Sequence, residues 1–238
     1  MNEEEKIREM AIEFAKRNKK RIAKVLTDPK VYAPDPNPIS VFMAGSPGAG
    51  KTELSKNLID LLERERERRV IRIDGDEVRP LIPGYTGVNS NLFHGAISLI
   101  VEKMQDLALH QGQTFILDGT MANTNKAVDN VQRSLDKNRT VIVFYVYQRP
   151  EVAWQFTQAR EAKEGRNIPK SAFIEQFFGA KDTVRRVHEL FPRNVMTFLV
   201  KKDFKNRTVE HVKLEHSGAA LDTYIGETYT KDELEQHL

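Results

Sequence analysis

Cysteine is absent from the 238-residue sequence. Disulfides, thiolate nucleophiles and zinc–cysteine centres are excluded with it. The absence suits a reducing compartment, so a cytoplasmic location is the expectation. Long apolar runs are missing as well. Crossing a bilayer takes ~18 or more continuous apolar residues, whereas the longest run, Val141 to Tyr147, is strand-sized. No membrane partner is therefore expected. The start, Met1-Asn2-Glu3-Glu4-Glu5, lacks the basic-then-apolar order of a signal peptide. An excess of one charge is also lacking: 37 Lys and Arg face 34 Asp and Glu, a net +3. Readers of duplex nucleic acid concentrate far more positive charge, so a nucleic-acid partner is not expected. The Asn-x-Thr sequons at Asn138 and Asn206 read as chance matches. Repeats and low-complexity tracts do not occur. What is present is 39% hydrophobic and 30% charged residues, the balance of a highly charged globular chain. At about 150 residues per domain, the length gives one large domain plus appendages.

Residues 3–26 carry Ile7, Met10, Ala11 and Phe14 at helical spacing, with Ile22, Val25 and Leu26 extending the stripe. This predicts an amphipathic helix. Asp28-Pro29 ends it, because proline disfavours helical geometry in the preceding residue. Three prolines within Ala33–Pro38 then read as a linker, so residues 1–38 form an N-terminal arm. From Ile39, short apolar runs alternate with amphipathic stretches. The runs are Ser40–Ala44, Arg69–Ile73, Thr114–Leu117, Thr140–Tyr147 and Val195–Val200. Largely unalternated and β-branched or aromatic, they predict strands buried on both faces. The stretches between them, Glu53–Arg66, Leu92–Gln111, Thr124–Leu135, Glu151–Glu164 and Ser171–Leu190, predict helices. The expected fold is α/β: a mostly parallel sheet of five or more strands with helices on both faces, a three-layer sandwich. The charged run Glu63–Arg69 is a solvated helix end. The core is expected over 39–202, with an extension over 203–238. In that extension Thr230-Lys231-Asp232-Glu233 has the form of a capping box.

Four segments carry chemistry. Gly45-Ser46-Pro47-Gly48-Ala49-Gly50-Lys51-Thr52 fits G-x-x-x-x-G-K-S/T between an apolar run and an amphipathic one. Its glycines let backbone N–H groups curl around phosphate oxygens, and the following helix adds the positive end of its dipole. All eight residues are thus expected to bind ATP. Lys51 should reach the β- and γ-phosphates, and Thr52 should ligate Mg²⁺. Ile73-Asp74-Gly75-Asp76 follows the second run. A carboxylate at a strand's carboxyl end can take the proton of an attacking hydroxyl. Asp76 is the expected base and Asp74 a turn residue; a helix N-cap is the other reading of Asp76. Thr114 to Thr120 ends in Asp118-Gly119. Asp118 is either a Mg²⁺-holding acid of Walker B type or a strand-end turn residue. Arg160 to Lys170 reads as a lid, with Gly165 as hinge and Arg160 and Arg166 as charge clamps on the transferring phosphate, or else as a solvated helix end. The Gly- and Asn-rich stretch Gly84–Gly95 is a candidate acceptor loop, in which His94 is a packing or capping residue. Trp154 is expected in the core.

The ordered set of these segments resembles the zeta toxin family, the P-loop kinase half of epsilon/zeta toxin–antitoxin systems. The resemblance runs from about Val41 to Val200. It rests on the Gly45–Thr52 loop, Asp74-Gly75-Asp76 with Arg79 following, Asp118-Gly119-Thr120, and the two arginines before Ile168-Pro169-Lys170. It implies a kinase that phosphorylates a sugar hydroxyl of UDP-N-acetylglucosamine with ATP. It also implies Asp76 as general base, Lys51, Arg160 and Arg166 on the phosphate, and Asp118, Thr120 and Arg79 toward substrate. Thr52 and Asp118 are implied at the metal. The chain departs from the family pattern on the acceptor side. Asp118 stands where the family carries Glu, Ala122 stands where it carries Arg, and the segment between the two arginines is shorter. Other readings are a P-loop kinase for an antibiotic, a nucleotide or a polynucleotide 5′-hydroxyl, and an ATP-dependent switch without catalysis. A toxic kinase needs restraint, which implies an antitoxin partner or self-coverage of the cleft by the N-terminal helix. The bland alternative is that this helix packs on the back of the core.

Overall fold

The computed structural model describes residues 2–203, 208–214 and 220–238. The sequon at Asn206 and parts of the 203–238 extension lie outside the described residues. Strand β1 (Ile39–Ala44) leads through the glycine loop into α2 (Lys51–Arg66). Then follow β2 (Ile71–Asp74), the single turn α3 (Gly75–Val78), 3-10 turns at Arg79–Leu81 and Ser90–Phe93, and α4 (His94–His110). The chain continues with β3 (Phe115–Asp118), α5 (Thr124–Leu135), β4 (Thr140–Tyr147), α6 (Pro150–Glu164), α7 (Lys170–Leu190) and β5 (Val195–Asp203). It ends in β6 (Thr208–Lys213), α8 (Ala220–Ile225) and α9 (Lys231–His237), while α1 (Glu3–Leu26) precedes everything.

The sheet has six strands in the order β2-β3-β1-β4-β5-β6. Its first five strands pair in parallel, and β6 runs antiparallel to β5. This is the expected mostly parallel α/β sandwich, with β6 as an added edge. Strand periodicity divides each buried run between two layers. Val41 and Met43 join Ile116, Val146 and Val200 under α2, whose Leu54, Leu58, Ile59 and Leu62 cover them. Phe42 and Ala44 face the opposite layer with Ile73, Phe115, Val143 and Tyr145. There α4, α5, α7 and α1 supply the cover.

Helix α1 opens on a capping box between Asn2 and Glu5. It buries Ala11, Ala15, Ile22 and Ala23 against α4 and the Ser90–Phe93 turn. The proline segment after it is pinned to the core and is no free tether. Asp35 accepts from Arg66 at 2.5 Å and from Thr114 Oγ1 at 2.8 Å, and Arg68 donates to Pro34 O at 2.8 Å. At the other end, Thr230 and Glu233 form the expected capping box for α9.

The register sets Asp74 of β2 directly beside Asp118 of β3, and β1 between β3 and β4. The carboxyl ends of β1, β2 and β3 therefore converge on one cleft, where open α/β sheets collect ligands.

Candidate active site

The loop from β1 to α2 sits flush against the joint between β4 and α6. A Cβ on Gly45 would lie 2.3 Å from Val146 O, and one on Gly48 would lie 2.0 Å from Ala153 O. Both glycines also hold positive φ, at 140° and 73°. Only glycine satisfies that conformation and that approach together. The loop so formed delivers the N-terminus of α2, with its unpaired N–H groups, to the cleft. Gly45 and Ser46 make the buried base of the loop, and Pro47 to Thr52 line the cleft. Lys51 Nζ donates to Gly45 O at 2.9 Å and Ser46 O at 2.7 Å. Burial pushes its ammonium down to about 8, against the pull of the Asp118 charge.

Asp74 ends β2 and caps α3: its side chain accepts from Asp76 N at 2.8 Å. The capping role thus falls on Asp74, and Asp76 is released to face the cleft. Three arginines surround the Asp76 carboxylate. Oδ2 accepts from Arg160 Nη2 at 2.8 Å and from Arg166 Nη1 at 2.5 Å, and Arg79 Nε stands 3.2 Å from Oδ1. Burial alone would raise its pKa, but Arg166, Arg79 and Arg160 outweigh burial and hold the carboxyl below its usual range. Asp74 differs. Burial and the Asp76 charge push it up to about 6 despite an ion pair to Arg72 at 2.5 Å.

Asp118 ends β3. Its Oδ2 accepts from Ser55 Oγ at 2.7 Å and from Arg72 Nη2 at 2.6 Å. Arg72 also reaches Glu77 at 2.5 Å, so one guanidinium balances Asp74, Asp118 and Glu77. Sequence reasoning missed both Arg72 and Ser55. The available signal was a charged residue inside the apolar run Ile71–Ile73. Thr52 on α2 and Asp118 on β3 line the cleft with hard oxygen donors. Among the described residues no group of three or more His, Asp or Glu could hold a metal unaided. Such a sparse donor set fits Mg²⁺ that arrives with phosphates and keeps several waters.

Arg160 lies on α6, which ends at Gly165 in a left-handed cap with φ 68°. Arg166 follows in the segment before α7. Both arginines turn inward to Asp76, while Ala162, Lys163 and Glu164 at the end of α6 are exposed. Ser90 Oγ donates to Asn167 O at 3.2 Å and ties the Gly84–Gly95 loop to the segment between α6 and α7. His94 opens α4 and lines the cleft; burial, Arg79 and Arg166 depress its basicity. Thr120, Ala122, Asn123, Glu175 and Gln176 also line the cleft, and Thr120 O accepts from Gly45 N of the phosphate loop at 3.1 Å. Trp154 is half-buried and packs on Phe173. The cleft has a volume of about 1360 Å³, above the ~300–1,000 Å³ of one small-molecule site, and so has room for two substrates. One cleft thus unites Lys51, Thr52, Asp76, Arg79, Asp118, Thr120, Arg160 and Arg166. No residue of α1 lines it. No helix among the described residues is long and apolar enough to cross a membrane.

The family model described as zeta toxin matches residues 22–211. No curated protein matches. Among solved structures, the chain is similar to one from the PezAT chromosomal toxin–antitoxin system of Streptococcus pneumoniae. That match has a TM-score of 0.66 and 16% identity, over 94% of this chain and 91% of that one. It is also similar to the AvrRxo1-ORF1:AvrRxo1-ORF2 complex with sulphate ions, with a TM-score of 0.59 and 15% identity, over 90% of this chain and 67% of that one. The same complex solved with ATP gives a TM-score of 0.58 and 15% identity, over 88% and 65%. At these identities the likeness shows a shared fold.

Proposed function

The chain belongs to the zeta toxin family and is an ATP-dependent kinase; from that premise we propose that it phosphorylates a sugar hydroxyl of a UDP-amino sugar, UDP-N-acetylglucosamine first. The observation that carries the reading is Asp76, a carboxylate set between the phosphate loop and the arginine lid, in a cleft with room for an acceptor. In the transfer, the acceptor hydroxyl gives its proton to Asp76 as its oxygen bonds the γ-phosphorus. The bond from that phosphorus to the bridging oxygen of ADP breaks. Lys51, Arg160 and Arg166 take up the charge spread over the phosphoryl oxygens. Thr52 and Asp118 would hold Mg²⁺, which when bound neutralises charge on the β- and γ-phosphates. Asp118, Thr120 and Arg79 face the acceptor. Residues 39–202 form the kinase core with its lid near 160–170, flanked by the 1–38 arm and the 203–238 extension.

A second acceptor class, an amine-bearing polyol such as an antibiotic, rests on one departure from the family pattern. Ala122 lines the cleft where the family carries Arg, so that position offers a diphosphate no cation. An antitoxin partner belongs to the same proposal, since the PezAT structure is of a toxin–antitoxin system. Self-coverage by α1 does not, because α1 lies outside the cleft. The test is incubation with ATP, Mg²⁺ and either UDP-N-acetylglucosamine or a panel of amino sugars, read by mass spectrometry. A product heavier by one phosphate is expected with the sugar nucleotide. Phosphate appearing only on the free amino sugars would move the assignment to the second class. ATP bound but never consumed would mean a switch.

A further inference from the structure

We propose that Asp76 and the transferring phosphate compete for one pair of arginines, Arg160 and Arg166, so that nucleotide binding is what unblocks the base. The inference rests on the reading of Asp76 as the base and adds an order to its use. Oδ2 of Asp76 accepts from Arg160 Nη2 at 2.8 Å and from Arg166 Nη1 at 2.5 Å. A carboxylate oxygen with two guanidinium donors has no lone pair left for a hydroxyl proton. Oδ2 cannot take the acceptor's proton while both donors stay, and Oδ1 lies against the Arg79 guanidinium.

The two oxygens of Asp76 are held differently. Arg79, opposite Oδ1, is 6% exposed and sits on a 3-10 turn beside Pro80. Its Nε and Nη1 make no hydrogen bond among the described residues, so its place is set by packing and charge. Arg160 and Arg166 belong to the lid on either side of the left-handed cap at Gly165. Arg160 already shares its guanidinium with Glu164 at 2.7 Å, and Arg166 Nε is without a hydrogen-bond partner among the described residues. Lys51 is likewise folded onto its own loop, on Gly45 O and Ser46 O. Each cation meant for phosphate therefore has a stand-in acceptor. A γ-phosphate replaces those acceptors one for one, with no cation left unpaired at any stage. Oδ2 then opens while Arg79 keeps Oδ1 in place. Nucleotide binds first and acceptor second, and Arg79 is a positioning residue for the base.

The test uses the full chain, calorimetry, and two Mg²⁺-loaded probes, ADP and the β,γ-imido analogue of ATP. Asp76→Asn removes the competitor's charge at nearly constant size. The analogue should bind it roughly tenfold more tightly, the worth of about one charge-assisted hydrogen bond, while ADP, which lacks the γ-phosphate, binds as before. Unchanged or weaker binding of the analogue, with ADP affinity intact, overturns the competition. A wild-type chain that binds neither probe would instead sink the kinase reading. Arg79→Gln leaves Asp76 to lean on the lid arginines alone, so the analogue should bind several-fold more weakly and ADP equally well. In an Asp76→Asn background the same change should have no effect. An equal effect in both backgrounds would overturn the positioning role.

Discussion

Three carboxylates, Asp74, Asp76 and Asp118, meet at the ends of two neighbouring strands, and their environments separate their chemistry. Asp76 is held ionised by arginines, whereas Asp74 is pushed up to about 6 by burial and by the Asp76 charge. In the unfolded chain a carboxyl near 3.8 stays ionised through most of the range between those values. The folded state therefore binds a proton at Asp74 that the unfolded state does not. This group's contribution to stability rises as pH falls from 7 through about 6 toward 4. Asp74→Asn keeps a good helix cap and removes the titration. Thermal midpoints measured across that window should rise less steeply on acidification in the variant than in wild type. Parallel curves would assign the slope to another group. The site was legible at this scale wherever its residues are neighbours in the chain, as in Gly45–Thr52. What was not legible is the pairing. Arg72 meets Asp118 across 46 positions, and Arg160 and Arg166 meet Asp76 across 84 and 90. Local spacing carries no record of such contacts.

Among the elements, strands β1 to β5 were readable because burial on both faces requires continuous apolar runs. Strand β6 was not, because Thr208 to Lys213 is largely exposed and mixes charged with apolar residues. Helix α2 starts at Lys51, ahead of the amphipathic pattern, because the phosphate loop sets where the helix begins. The pattern beginning at Leu92 contains a 3-10 turn before α4 proper. Helix α1 was readable as a helix but not as to where it docks. Its alanines, buried at Ala11, Ala15 and Ala23, allow it close to α4, with Ile22 sealing the contact. Ile22→Ala should cost about 2–4 kcal/mol by loss of burial and a residual cavity. Urea unfolding would read this as a lower midpoint at unchanged slope. A gain in kinase activity on that change would revive restraint by α1.

Over the whole molecule, both ends of the chain return to one apolar cluster. Leu221, Ile225 and Leu234 share it with Ala11 and Ala15. Lys231 pairs with Glu175 at 2.6 Å, and Lys170 donates to Glu235 O at 2.8 Å, fixing α9 across α7. The arithmetic of one domain plus appendages therefore describes the sequence better than the packing. The near-even charge of the whole chain holds in the cleft too, where Lys51, Lys56, Arg79, Arg160, Arg166 and Lys202 stand among Glu53, Asp74, Asp76, Asp118, Glu164, Glu175 and Asp203. Raising salt from about 0.1 to 1 M shortens the screening length from ~10 to ~3 Å. Affinity for the imido analogue should fall several-fold over that range, and a flat response would mean these cations do not meet the nucleotide.

The sequence holds one tryptophan. Trp154 rides on α6 with its ring centroid 5.1 Å from that of Phe173 on α7, and the residues joining these helices include Gly165 and Arg166. A shift of one helix against the other alters the indole's surroundings. The chain thus contains a native optical reporter of any movement between α6 and α7. It needs no dye, and the Asp76→Asn and Arg79→Gln variants keep it, since both positions lie outside α6 and α7.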